Sequence, residues 1–114
     1  MGRTVRRRWA ALPMVAVACA LLAAAWPEGT RPQRHVVEMR TLAYQPATLE
    51  VAVGDTVVWV NHDVVPHTAT AASGAWDSGL IPVGGSWRLV VRKKGEVPYS
   101  CTYHPTMKGK IVAR

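Results

Sequence analysis

The feature that most constrains the fold of this chain is a two-residue alternation of apolar side chains within short segments. In the segment TLEVAVGDTVVWVNHD, Leu49, Val51 and Val53 fall on one side of an extended chain. Glu50 and Ala52 fall on the other side. This alternation is typical of a strand with one buried face, and no stretch of the chain shows helical periodicity.

The same pattern recurs between turn signals towards the C-terminus. Gly54 and Asp55 mark a turn, and TVVWVN after it is predicted to be the partner strand of the segment before it. In SWRLVVR, Trp87, Leu89 and Val91 face one way. KKGE reads as a turn before VPYSC, and KGKIVAR as a final strand. Six to eight short strands separated by such turns predict an all-β fold, a Greek-key β-sandwich or barrel.

The N-terminal segment has the composition of an export signal. Four arginines within the first eight residues form a basic head, and the stretch from Ala10 to Ala25 is rich in alanine, leucine and valine. It is interrupted by Pro13 and is shorter than the roughly 20 residues that a membrane span needs. We therefore interpret residues 1–25 as a cleaved export signal, with an uncleaved N-terminal anchor as the alternative.

Removing that segment changes what charge and cysteine content imply. We expect residues 26–34 to form a linker and residues 35–114 to form one domain. The net charge of +7 falls to +3 without the leader arginines, and no basic stripe interleaved with aromatic residues indicates nucleic-acid binding. Of the two cysteines only Cys101 remains, so it is expected to be buried and inert, reactive, or bound to a metal.

Three soft metal-ligand types are evenly spaced near the end of the chain. In YSCTYHPTMKG, Cys101, His104 and Met107 follow a C-x2-H-x2-M spacing directly after a predicted strand, and Pro105 stiffens the connection. A loop this short can direct all three side chains at one centre. Two histidines and one cysteine with a weak axial methionine describe a blue-copper electron-transfer site.

Such a site needs a second histidine from elsewhere in the chain. His67, in NHDVVPHTA, lies 34 residues before Cys101 and follows the predicted strand that contains Trp59. Pro66 fixes an extended backbone before it. Structural zinc is the competing interpretation, but methionine does not suit zinc and only three good zinc ligands would remain.

These residues resemble those of a known family. The run from Tyr44 to Arg114 is similar to the cupredoxins, and within them to the amicyanin and plastocyanin-like branch. The resemblance lies in YQPATLEVAVGDTVVWVNHDVVPHT, WDSGLIPVGGSW and GEVPYSCTYHPTMKGKIVAR, in that order. It implies a β-sandwich that binds one copper ion, with His67, Cys101 and His104 as equatorial ligands and Met107 as the axial ligand.

The resemblance also implies a function and a set of partners. The chain is expected to be an exported electron carrier rather than an enzyme, in the periplasm or on the outer face of the cytoplasmic membrane. Redox proteins such as a c-type cytochrome or a dehydrogenase would dock at the apolar pole around His104. We expect a monomer, with no nucleic-acid partner and with membrane contact only through an uncleaved N-terminal segment.

Three residues depart from the family pattern. Thr68 stands where asparagine usually ties the two copper loops together, so a threonine hydroxyl would have to make that bond. Tyr103 replaces a proline and retains a backbone N–H that can donate to the Cys101 thiolate. Thr106 replaces a bulky apolar residue beside His104. The other two histidines are not expected to bind the metal. His62 is expected to be a solvated loop residue, and His35 to be incidental to the site.

Two other classes of function compete with electron transfer. The first is a copper-binding or copper-handling protein of the cell envelope without a redox role, although such proteins use sites rich in methionine or histidine. The second is a β-sandwich interaction module whose ligand-like residues are accidental. The visible spectrum of the copper-loaded protein distinguishes all three classes.

Overall fold

The structure, a computed structural model, describes residues 2–5, 9–16 and 31–114. About half of the predicted export segment, residues 1–25, and the predicted linker up to residue 30 lie outside the described residues. Across the three described ranges, no helix has both the length and the apolar character required to cross a membrane.

Within the described residues, eight strands form two four-stranded sheets, which confirms the all-β prediction. In chain order the strands are β1 (Arg34–Arg40), β2 (Ala43–Gln45), β3 (Thr48–Val51), β4 (Thr56–Asn61), β5 (Thr70–Ala71), β6 (Ser86–Val90), β7 (Gly95–Ser100) and β8 (Lys108–Ala113). One sheet has the order β2-β1-β4-β6 and the other the order β3-β8-β7-β5.

The core lies between the two sheets, where the inward faces of their strands meet. In β4, Val57 and Trp59 are fully buried, and in β7 and β8 Tyr99 and Ile111 are nearly so. Trp87 and Leu89 of β6 pack against this core, together with the buried Val91 that follows them. The predicted inward face of SWRLVVR is therefore confirmed.

One predicted strand pairing is wrong. The strand TLEV (β3) does not form a hairpin with β4 but pairs in parallel with β8, while β4 lies between β1 and β6 in the other sheet. The connection crosses from one sheet to the other: the Val53 N–H donates to the Arg114 carbonyl, and the Gly54 N–H donates to the Val91 carbonyl. Val53 is consequently outside the strand and 43% exposed, not on the core face.

An aromatic cluster joins the sheets directly beneath the loop that contains Cys101. Trp59 lies 5.3 Å from Trp76, 5.5 Å from Trp87 and 5.5 Å from Tyr99, measured between ring centroids. Tyr99 belongs to β7 and precedes Cys101 by two residues, so this packing fixes the strand end from which the loop begins. Aromatic pairs at such distances contribute favourable contacts beyond their buried area.

Candidate metal centre

The loop after β4 is held by one buried amide side chain. Asn61, the last residue of β4, donates from Nδ2 to the carbonyls of Val65 and Ile81, and its Oδ1 accepts the Asp63 N–H. His67 exchanges two backbone hydrogen bonds with Ile81, at 3.1 and 2.7 Å. These bonds fix the backbone on both sides of His67, and His67 itself is fully buried.

The second loop connects β7 to β8 and closes on itself. The Cys101 N–H donates to the Met107 carbonyl at 3.2 Å, and the Met107 N–H donates to the His104 carbonyl at 2.9 Å. Cys101 and Met107 are buried, whereas His104 is partly exposed. These hydrogen bonds hold the two ends of the loop together. The short spacing between Cys101 and Met107 therefore forms a compact loop.

The two loops bring three ligand atoms together at one pole of the sandwich. Cys101 Sγ lies 3.7 Å from His67 Nδ1 and 3.8 Å from His104 Nδ1. A nitrogen or sulfur atom from each of the three residues lies within 4.8 Å of the other two. Such separations are those of donor atoms that share one metal ion, since bonds from nitrogen or sulfur to a first-row metal are about 2.0–2.3 Å long.

The surroundings of Cys101 favour its thiolate. Burial by itself raises the pKa of this thiol, but the Thr68 N–H, the rings of His104 and His67, and the Tyr103 N–H together lower its pKa to about 6. The Thr68 N–H lies 3.3 Å from Sγ. Because the thiolate is the form that binds metal, the site presents Cys101 in a state ready for coordination.

Thr68, which stands where asparagine was expected, makes the hydrogen bond between the two loops. Its Oγ1 accepts the Thr102 N–H at 2.9 Å, and its carbonyl accepts the buried Tyr44 hydroxyl. With the N–H that donates to Cys101, Thr68 links the His67 loop to the Cys101 loop through both backbone and side chain. A threonine therefore suffices at this position.

The structure also describes Met107, His62 and His35, the other candidate residues from the sequence. Met107 is buried at the end of the second loop, and its predicted role as the axial ligand stays a prediction. His62 is not part of the cluster, and its Nε2 lies 3.6 Å from Glu38. His35 is also outside the cluster, but it has a structural contact: it bonds Asp55 at 2.8 Å, and the Asp55 carboxylate also accepts the Gln33 and Ala52 N–H groups.

The sequence reasoning missed Asp63, whose Oδ2 lies 2.8 Å from His67 Nε2. Its carboxylate also accepts the N–H groups of Leu42 and Val64. The backbone bond from Leu42 and the side-chain bond from His67 are the main reasons that the pKa of Asp63 falls to about 2. The sequence did offer a signal for this contact: Asp63 lies four residues before a candidate metal-ligating histidine, and such histidines commonly donate to a carboxylate.

The donor set fits copper better than the alternatives. Two imidazole nitrogens and one thiolate suit either copper or zinc. A buried methionine that ends the same loop adds a thioether, a ligand type of copper sites. The donor types of these residues are therefore those of a copper site.

The chain is similar in sequence to copper proteins of known families. The family described as a cupredoxin-like domain matches residues 12–113. Amicyanin from Paracoccus denitrificans is 33% identical over 82 residues, which are 68% of this chain and 63% of that protein. The matched segment thus spans less than two thirds of that relative's length.

Solved structures show the same likeness. The Cu(I) form of an amicyanin mutant matches with a TM-score of 0.68 and 30% identity, over 71% of this chain and 82% of that chain. A copper-containing nitrite reductase from Thermus scotoductus SA-01 also matches with a TM-score of 0.68 and 30% identity. That match covers 74% of this chain but 23% of the reductase, so it concerns one part of a larger protein.

Proposed function

The chain belongs to the cupredoxin family, in its amicyanin-like branch, and we propose that it is a type 1 copper protein that carries single electrons between redox partners. The observation that carries the proposal is the convergence of His67 Nδ1, Cys101 Sγ and His104 Nδ1 at a buried point. We propose these three residues as equatorial ligands and Met107 as the axial ligand.

Bound copper would supply a one-electron couple between Cu(I) and Cu(II). The protein's own residues supply the rest: Cys101 offers a thiolate, His67 is shielded from water, and two hydrogen-bonded loops hold both in place. A rigid donor set changes little between the two oxidation states, which favours rapid electron transfer over bond chemistry. We therefore propose an electron carrier rather than an enzyme, and the match to nitrite reductase covers 23% of that larger chain.

The proposed electron port is the pole around His104. His104 is the most exposed of the three clustered residues. On the His67 side of the site, Val64 precedes His67 by three residues, and Leu80 and Val83 flank the segment of its backbone partner Ile81; they are 86%, 57% and 55% exposed. An exposed apolar surface around a redox ligand suits the small, transient interfaces of electron-transfer complexes, below about 1,200 Å². We propose that an exported redox protein, such as a c-type cytochrome or a dehydrogenase, docks there with a monomeric carrier.

The proposal is tested by mixing the reduced, copper-loaded protein with an oxidised c-type cytochrome in a stopped-flow spectrometer. We expect one electron to leave each chain, and Val64→Asp to slow the second-order rate about tenfold without changing the potential, because the docking surface would then bury a charge. The control is Val36→Asp on the exposed face of β1, where Val36 is 41% exposed, and its rate should equal that of the wild type. A cytochrome that stays oxidised would reject a c-type cytochrome as the partner, and bound copper that cannot be reduced and reoxidised would reject the electron-carrier proposal.

Tyr103→Pro is expected to lower the reduction potential by about 40 mV, because it removes an N–H that stabilises the Cys101 thiolate and hence the electron-rich reduced centre. Potentiometric titration checks the shift. Tyr103→Ala keeps the N–H and should retain the wild-type potential. Equal potentials for the proline and alanine variants would show that the N–H has no such role.

A further inference from the structure

His67 is held on the side of its ring that faces away from Cys101. Its Nε2 lies 2.8 Å from Asp63 Oδ2, while its Nδ1 lies 3.7 Å from Cys101 Sγ. The His67 side chain is fully buried and the Asp63 side chain is 9% exposed. This pair is therefore largely shielded from water, where a charge-assisted hydrogen bond is strong.

The Asp63 carboxylate is itself fixed by backbone groups. Oδ2 also accepts the Leu42 N–H at 2.8 Å, and Oδ1 accepts the Val64 N–H at 2.9 Å. Leu42 lies in the turn between β1 and β2, a different part of the chain from the loop that contains His67. With donors from two segments, the carboxylate cannot turn away from the imidazole without breaking several hydrogen bonds.

This geometry assigns the proton on His67. An ionised carboxylate only accepts hydrogen bonds, so the Nε2 facing it must carry the proton. Nδ1 then has its lone pair directed at the cluster with Cys101 and His104. Among the described residues, His104 has no such carboxylate partner, and its one side-chain polar contact is with Cys101 Sγ.

We propose that Asp63 is a positioning residue: it holds His67 in the Nε2-protonated tautomer and makes His67 the more strongly donating imidazole, so that the centre favours Cu(II) over Cu(I). The inference rests on the proposed copper function. A carboxylate bonded to a metal-ligating histidine raises the basicity of the ligand and orients its ring. The added negative charge stabilises the more highly charged ion.

The tautomer is tested in the metal-free protein by nitrogen-15 NMR of the histidine rings. We expect a protonated Nε2 and an unprotonated Nδ1 on His67, and a mixture of tautomers in Asp63→Leu. Circular dichroism establishes that the variant is folded. If it does not fold, the wild-type spectrum still decides, because a proton found on Nδ1 would overturn the assignment.

The effect of the charge is tested in the copper-loaded protein with Asp63→Asn, which keeps an oxygen that can accept from Nε2. We expect Cu(II) affinity to fall about tenfold to hundredfold and Cu(I) affinity to fall less. Each tenfold difference between the two losses corresponds to a rise in potential of about 59 mV. Competition with chelators gives both affinities, and voltammetry gives the potential.

Glu38→Gln is the matched control for charge alone. Glu38 contacts Arg40 and His62, neither of which belongs to the cluster, so removing its charge should leave both affinities within about twofold of wild type. An Asp63→Asn potential equal to that of the wild type, or no greater than that of Glu38→Gln, would overturn the inference while the copper carrier stands. If the wild type takes up no copper, the proposed function fails, and the tautomer measurement alone decides the role of Asp63.

Discussion

Cys101→Ser is expected to abolish the intense visible absorption of the copper-loaded protein and its ability to carry an electron. The absorption of a type 1 centre, at about 600 nm, arises from the copper–thiolate bond, which a serine hydroxyl does not form. Cys101 is the central donor of the cluster, within 3.8 Å of both imidazole Nδ1 atoms, and the pKa of its thiol is lowered to about 6. The expected loss is complete.

The measurement is the visible spectrum of each variant after addition of one equivalent of Cu(II). Ser100→Ala, one residue earlier at the end of β7, is the control and should keep the wild-type absorption. Far-ultraviolet circular dichroism of the metal-free variants separates loss of the site from loss of the fold. A Cys101→Ser protein that folds and remains intensely coloured would rule out Cys101 as the thiolate ligand.

Gly109→Ala is expected to lower the free energy of unfolding by about 3 kcal/mol, at the upper end of the cost of overpacking a core. Gly109 in β8 lies opposite Tyr99 in β7, and an added Cβ would lie 2.7 Å from Tyr99 Cε1 and still closer to the hydroxyl end of the ring. The ring cannot withdraw easily, because Tyr44, Trp59 and Trp76 pack against it. A loss of this size is a large share of the roughly 5–15 kcal/mol that stabilises a typical domain.

Urea denaturation of the metal-free protein measures this change. Lys108→Ala introduces the same residue at an exposed position of the same strand, and its effect should stay within about 0.5 kcal/mol. If Gly109→Ala is as stable as Lys108→Ala, then the Tyr99 ring does not depend on the space that the glycine leaves.

The candidate metal-binding cluster could be predicted from the sequence because the residue types and their spacing are themselves the signal. Cys101, His104 and Met107 lie in one short loop whose geometry is largely local, and His67, preceded by Pro66 in the loop after the strand that contains Trp59, was the candidate for the second histidine. The structure brings His67, Cys101 and His104 together as expected. The role of Met107 as an axial ligand stays a prediction.

Strand partners were harder to predict than strand positions. Alternation in TLEV indicated a buried face, but it carries no information about which strand accepts its hydrogen bonds. The turn signal at Gly54 and Asp55 suits a hairpin as well as a crossing between sheets. Only the tertiary contacts of Val53 with Arg114 and of Gly54 with Val91 distinguish the two.

Asp63 was missed for a related reason. A carboxylate in a polar loop usually faces solvent, and its contact with His67 depends on how the loop folds over the turn that contains Leu42. Asn61, Asp63 and Leu42 together form a network whose members come from separate segments. Such networks are tertiary features, visible once the backbone is in place.

The most direct test of the central claim is a titration of the purified protein with Cu(II), followed by visible absorption. If His67, Cys101 and His104 enclose one metal ion, an intense band at about 600 nm should grow and saturate at one copper per chain. A colourless copper complex, or no uptake of copper, would contradict the assignment of this chain as a type 1 copper electron carrier.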